Sequence, residues 1–239
     1  MDKRVLIIIP AYNESENIEK LVDNLIQNYS QYDYLIVNDC STDNTEEIIR
    51  RRGYKYVSLP ANLGIGGGVQ TGYIYAAQNK YDIAIQIDGD GQHDPAYIEK
   101  LIAPIIAGEA DIAIGSRFID KTGFQTSFMR RFGNKFIGLI IRMCCGVKAT
   151  DTTSGFRAAN LEASSFFSRN YAQDYPEPEA IVAAALNGFR IQDVAVEMNE
   201  RMGGVSSINA KRSIYYMIKV SLALIICRIG TKKKRRNKA

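Results

Sequence analysis

The stretch VLIIIPAYNE, Val5–Glu14, decides how the chain reads: an unbroken apolar run, Val5–Ile9, ends abruptly in proline and polar residues. Apolar residues without alternation suit a strand buried on both faces, as in a parallel sheet covered by helices. The next segment, Ser15–Asn28, carries Ile18, Leu21, Val22, Leu25 and Ile26 at helical spacing. Strand and helix patterns then alternate. Tyr34–Val37, Tyr54–Leu59, Ile83–Ile87 and Ile112–Ile114 read as strands. Asp43–Arg51, Gly66–Asn79 and Pro95–Ala107 read as helices, the first capped by Thr42 or Asp43 and the last opened by a proline. This order predicts an α/β fold, a mostly parallel sheet flanked by helices.

In such folds ligands gather outside the carboxyl ends of the strands. The polar residues lie there: Pro10–Glu14, Asn38-Asp39, Asp88-Gly-Asp90 and Gly115-Ser-Arg117. Four segments distant in sequence are therefore expected along one edge. Further on, Phe128–Cys145 reads as a helix, Ala149–Ala158 as a polar loop, Pro178–Asn187 as a helix and Phe189–Val196 as a strand. Asn199–Ala210 is rich in glycine and serine, and Ser213–Ile229 reads as a final apolar helix. No repeat or linker divides the chain, so the expectation is one domain, 1–210, followed by an apolar helix and basic tail, 211–239.

Asp88-Gly-Asp-Gly-Gln92 is the sharpest chemical signal. Two carboxylates and an amide oxygen suit a hard divalent cation, and Mg²⁺ commonly takes one or two carboxylates plus substrate phosphates. A solvated acidic turn is the plainer reading, made less apt by the strand-end position. In Asn38–Thr45, capping accounts for Thr42 or Asp43. It does not account for Asp39, which directly follows a buried strand.

The formal charge of +4 hides an asymmetry. The last twelve residues, from Arg228, hold seven of the 30 basic residues and no acid, so the preceding 227 carry 23 basic against 26 acidic residues. A cationic tail suggests an anionic surface, membrane or nucleic acid. An acidic body without a nucleic-acid module leaves the membrane as the better partner, and no nucleic acid is expected. Ile214–Cys227 would span about 21 Å as a helix, short of the ~30 Å hydrocarbon core. It is read as an interfacial, partner-binding or core helix. Cys40, Cys144, Cys145 and Cys227 contain no CxxC pair, which points to reduced thiols and a cytoplasmic location.

Taken together, IPAYNE (Ile9–Glu14), NDCSTDNT (Asn38–Thr45), NLGIGGGVQTG (Asn62–Gly72), DGDGQH (Asp88–His93) and GSRF (Gly115–Phe118) resemble family 2 glycosyltransferases of the GT-A fold. DTTSGFRA (Asp151–Ala158) is similar to the dolichyl- or polyprenyl-phosphate sugar synthase branch. The resemblance implies a nucleotide-sugar pocket of Pro10, Tyr12, Glu14, Asp39, Asn62 and Gly67. It implies Mg²⁺ or Mn²⁺ on Asp88, Asp90 and Gln92. It puts Arg117 and Arg131 at the acceptor phosphate with Ser154 and Arg157 nearby, and Arg201, otherwise a plain surface arginine, on the donor diphosphate.

The implied reaction is inverting, metal-dependent transfer from a nucleotide sugar, with UDP favoured over GDP, to polyprenyl phosphate for cell-surface glycan assembly. It would run peripherally on the inner face of the membrane, with a homo-oligomer or small membrane protein as a further partner. One alternative is transfer to a saccharide hydroxyl, which needs a carboxylate base. Glu177 and Glu179 are candidates for it, Glu179 foremost, and each also suits a helix start. Asp151 is a further candidate. An alternative of another class is a non-catalytic nucleotide-sugar-binding scaffold.

Overall fold

The computed structural model describes residues 3–120, 128–199 and 210–231. In chain order the elements are β1 (Val5–Ala11), α1 (Ile18–Asn28), β2 (Asp33–Asn38), α2 (Thr45–Arg52), β3 (Tyr56–Ser58), α3 (Gly64–Gln78) and β4 (Ile83–Gln86). There follow a single 3₁₀ turn, Pro95–Tyr97, then α4 (Ile98–Ile106), β5 (Ile112–Ser116), α5 (Phe128–Cys145), β6 (Arg157–Asn160) and α6 (Leu161–Phe167). The last elements are α7 (Pro176–Leu186), β7 (Ile191–Ala195) and α8 (Ala210–Gly230).

All seven residues of β1 are buried, as the unbroken apolar run requires. Its side chains alternate between two cores. Leu6 and Ile8 join α3, α5, α6, α7 and α8 on one face of the sheet. Val5, Ile7 and Ile9 join α1, α2 and α4 on the other. The sheet is thus the middle of three layers. Its strand order is β3-β2-β1-β4-β6-β5-β7. The chain runs outward from β1 through β2 to β3, then returns to lay β4 on the other side of β1. That reversal opens a crevice between the carboxyl ends of β1 and β4, where an open α/β sheet binds ligands.

One strand was not expected. β6 falls at the end of the segment read as a polar loop, and it pairs antiparallel with both β4 and β5. Arg-Ala-Ala-Asn has neither a long apolar run nor a clear period, so its strand character comes from the two neighbours that flank it. Its register sets Arg157 opposite Gln86 and brings Gly155 against Asp88. α6 was also unforeseen, although Asn160 caps it by accepting from the Ala163 N–H at 2.8 Å. α8 packs on α5 and α7, with Val220 and Leu224 in the core. No helix among the described residues is long and apolar enough to cross a membrane.

Candidate active site

The cleft at the β1–β4 reversal has a volume of about 300 Å³. Residues from four segments line it: Pro10 at the end of β1 with Tyr12 and Glu14 after it, Asp39 after β2, Asn62 before α3, and Asp88 and Asp90 after β4. Seven residues singled out in the sequence thus share one cavity. Gly64, Ile65 and Gly68 of α3 also line it; only the glycine-rich run hinted at them. Gly67 faces elsewhere, since a β-carbon there would press on Leu63.

The loops are tied to each other. Asn13, at φ 57°, accepts from the Thr42 N–H at 2.8 Å, and Glu14 N–H donates to the Thr45 hydroxyl at 2.9 Å. Thr42 therefore braces the loop after β1. Asn44 stands at the N-cap of α2 without a side-chain bond, and Asp43 just before it meets the first-turn Thr45 N–H through Oδ1 at 2.9 Å. Asp39 Oδ1 accepts from the Leu63 N–H at 2.7 Å, and the Asp39 carbonyl accepts from the Asn62 side chain at 3.2 Å. Asp39 thereby sets the entry to α3 as well as lining the cleft.

Each carboxylate of the DGD turn is held by a nearby donor. Asp88 Oδ1 accepts from Gln86 Nε2 at 2.8 Å. Asp90 Oδ1 accepts from the Gln92 N–H at 3.1 Å, a tight turn that Gly91 permits at φ 75°. The Gly155 backbone lies directly against Asp88. No cluster of three or more His, Cys, Asp or Glu suited to a metal exists among the described residues. Asp88 and Asp90 line the cleft and Gln92 does not; two carboxylates are hard oxygen donors too few to cage an ion alone, which fits a cation that also takes substrate phosphate oxygens.

Behind Asp88 lies a buried polar floor. Arg157 is 1% exposed. Its Nη2 donates to the Ser154 carbonyl at 2.7 Å and its Nη1 to the Glu177 carbonyl at 3.2 Å. Ser154 is fully buried, and its hydroxyl has no hydrogen-bond partner among the described residues. Neither lines the cleft, so both support the floor from beneath. Burial pushes the Glu177 carboxyl up; Arg157 pulls it back and nearby Asp88 adds to the rise. The Tyr73 phenol is pushed up to about 12 by burial.

Arg117, at the end of β5, donates from Nε to the fully buried Asp151 Oδ2 at 2.7 Å. Asp151 is thus an anchor for Arg117. Around it, Thr150 donates its N–H and its hydroxyl to Asp193, the Thr150 and Ser116 hydroxyls lie 2.8 Å apart, and Asn134 of α5 accepts from the Thr152 N–H at 2.8 Å. Beside this network a second groove, about 820 Å³, runs along α5. Arg131, Lys135, Arg142 and Lys148 line it together with Phe118, Phe132 and Leu139. Sequence reading had only Arg131; Lys135 and Arg142 lie four and eleven residues on, at helical spacing that shares a face.

Glu179 sits apart from both. It lines a third surface groove with Tyr171, Ala183, Cys227 of α8 and Thr231 just after that helix. Burial and Asp174 push its carboxyl up. Arg201 lies outside the described residues.

Residues 6–165 match the model of the family described as Glycosyl transferase family 2, and the chain belongs to that family. It is 32% identical over 216 residues to UDP-N-acetylglucosamine–dolichyl-phosphate N-acetylglucosaminyltransferase of Methanococcus voltae, covering 82% of this chain and 86% of the relative. It is 28% identical over 232 residues to polyprenol monophosphomannose synthase of Mycolicibacterium smegmatis, covering 92% and 86%. Among solved structures, glucosyl-3-phosphoglycerate synthase of Mycobacterium tuberculosis, in complex with Mn²⁺, uridine-diphosphate-glucose and phosphoglyceric acid, has the same fold. Its TM-score is 0.72 at 18% identity, covering 96% of this chain and 80% of that one. The chain is a glycosyltransferase with the GT-A architecture that its sequence resembles.

Proposed function

We propose that this member of glycosyl transferase family 2 is an inverting, metal-dependent enzyme that moves a sugar from a UDP-sugar to polyprenyl phosphate at a membrane surface. The observation that carries the acceptor is the second groove, where four cationic side chains rim an apolar, aromatic lining. A lipid phosphate needs both: cations for the phosphate oxygens and apolar surface for the first isoprene units. Two curated relatives that name a dolichyl or polyprenol phosphate support the same acceptor class. The M. voltae relative also names a UDP-sugar.

In this reading the donor nucleotide occupies the 300 Å³ cleft, against Asp39, Tyr12 and Glu14. Asp88 and Asp90 would hold Mg²⁺ or Mn²⁺, which supplies positive charge to the leaving diphosphate. An acceptor phosphate oxygen attacks the anomeric carbon from the face opposite the diphosphate. The carbon–oxygen bond to that diphosphate breaks, and the configuration inverts. Arg117, oriented by Asp151, and Arg131 bind the acceptor phosphate through planar guanidinium donors. A phosphate monoester is already largely anionic at neutral pH, so it needs no strong base. Glu179, on a different surface, is not needed for it. A saccharide hydroxyl would need such a base, which counts against the alternative acceptor.

Membrane attachment draws on α5 and α8. Phe132, Phe136, Leu139 and Met143 are exposed on α5, and Ile218, Leu222, Ile226 and Ile229 on α8. The basic tail, whose residues from 232 lie outside the described ones, would add about 1 kcal/mol per lysine or arginine near an anionic leaflet. We infer peripheral attachment on the cytoplasmic face, in keeping with four free cysteines.

The test is to incubate the enzyme with labelled nucleotide sugars, polyprenyl phosphate and oligosaccharides, and to separate the products. Label in the lipid fraction, lost in Asp90→Ala and on chelation, is expected. Label only in oligosaccharide, or transfer by Asp90→Ala at the wild-type rate in limiting metal, would refute the reading.

A further inference from the structure

His93 is the single histidine of the chain and is 4% exposed, at the end of the DGDGQH turn. The Asp88 N–H donates to its Nδ1 at 3.0 Å. Its Nε2 stands 3.8 Å from Asp88 Oδ2. A ring nitrogen that accepts an N–H carries no proton, so the neutral imidazole carries its proton on Nε2. That proton is on the side of the Asp88 carboxylate. One ring therefore bonds the backbone of Asp88 and stands beside, without bonding, the side chain of the same aspartate.

The ring is itself held in place. It stacks on the fully buried Phe156 with centroids 5.1 Å apart and planes 15° from parallel. Its backbone bridges to Met198, and the Asn199 N–H donates to the neighbouring Gln92 carbonyl at 2.9 Å. Asp88 is consequently confined between His93 and Gly155. Direct metal ligation by His93 does not fit this arrangement, because Nδ1 is already an acceptor and the residue is almost wholly buried.

We propose that His93 is a positioning residue: through unprotonated Nδ1 it fixes the turn from which Asp88 and Asp90 present their carboxylates. This rests on reading those carboxylates as the metal-holding pair. Groups that orient metal ligands from behind typically change metal affinity by about 10- to 100-fold. Asparagine puts an acceptor oxygen near the Nδ1 position; glutamine, one methylene longer, reaches toward Nε2 instead, and alanine supplies neither.

The experiment measures Mn²⁺ binding to the full chain in the presence of UDP, by calorimetry at one fixed pH near 8. His93→Ala and His93→Gln should bind Mn²⁺ about 10- to 100-fold more weakly. His93→Asn should stay within about threefold, because the Asp88 N–H keeps an acceptor. UDP binding without metal should be the same in all. The wild-type imidazole, a single ¹⁵N signal set, should show the Nε2–H tautomer. Should His93→Ala fail to fold, the Asn–Gln pair decides. Wild-type affinity in His93→Ala, no advantage of Asn over Gln, or an Nδ1–H tautomer would each overturn the proposal. A wild-type protein that binds UDP but no Mn²⁺ would overturn the metal reading and, with it, this one.

Discussion

Gly155→Ala tests the candidate site most directly. A β-carbon at position 155 would lie 2.5 Å from Asp88 Oδ2, 2.9 Å from Asp88 Oδ1 and 2.8 Å from Gln86 Nε2. Ordinary contact begins at 3.4 Å, so the carboxylate must retreat by about 0.9 Å, the difference between 3.4 and 2.5. The backbone at 155 is not left-handed, so alanine itself is accommodated. The atoms that must yield are side-chain ends, which spares the fold. The Gln86–Asp88 hydrogen bond is the principal loss, and a bond to a charged group contributes about 1.5–3 kcal/mol.

Misplacing a reacting constellation by about 1 Å can cost on the order of 100-fold in rate. Gly155→Ala should therefore lower kcat/KM for transfer to polyprenyl phosphate by about two orders of magnitude. Gly89→Ala is the graded control: its β-carbon meets Glu14 Cγ at 3.2 Å and the Pro10 carbonyl at 3.3 Å, a far milder intrusion. Its loss should be several-fold smaller than that of Gly155→Ala. Steady-state kinetics read the effect, with thermal melting to establish that both variants fold. A folded Gly155→Ala enzyme within twofold of wild type, or a larger loss in Gly89→Ala, would refute the assignment of Asp88 to the reaction.

Other expectations follow from particular contacts. A β-carbon at Gly72 would overlap the Ile8 side chain where α3 crosses β1, so Gly72→Ala should lose about 1–3 kcal/mol in urea unfolding. The Glu177 carboxyl is raised in the folded state, chiefly by burial, so its own contribution to stability is fully present at low pH and is lost as pH rises through that raised value. Glu177→Gln removes this loss. The variant should gain on wild type as pH rises above the ordinary glutamate range, and a difference that does not change with pH in denaturant titrations would contradict it. Leu222 and Ile226 are exposed on α8, at 55% and 68%. Changing both to aspartate should leave the melting curve unaltered and cut sedimentation with anionic liposomes by at least about tenfold, each lost side chain being worth about 1.5–3 kcal/mol of burial.

Much of the site was legible because the elements that carry it announce themselves locally. The run Val5–Ile9 gives β1 by composition, and Ile18, Leu21, Val22 and Leu25 give α1 by period. Once strands alternate with helices, their carboxyl ends must share an edge, which brings Glu14, Asp39 and Asp88 together from sequence order alone. What escaped is what local pattern does not encode. Ala158 and Ala159 are too small to mark a period, so β6 exists only by its pairing with β4 and β5. Glu177 and Glu179 are two residues apart on α7, about 200° around a helix of 100° per residue. One therefore approaches Asp88 and Arg157 while the other turns to Cys227 and α8, and nothing in Pro-Glu-Pro-Glu distinguishes them.

The sequence by itself determined the α/β order, the edge at which the chemistry collects, and the family, because each depends on runs, periods and spacings within short segments. The tertiary structure alone decided which polar residues face the ligand and which support it from beneath. Arg157 and Asp151 look in the sequence like phosphate and proton groups; in the fold the first lies buried under the floor and the second anchors Arg117. Burial is set by what packs across the sheet from distant parts of the chain. It therefore appears only when β6 lies between its neighbours and α5 closes over the loop that precedes it.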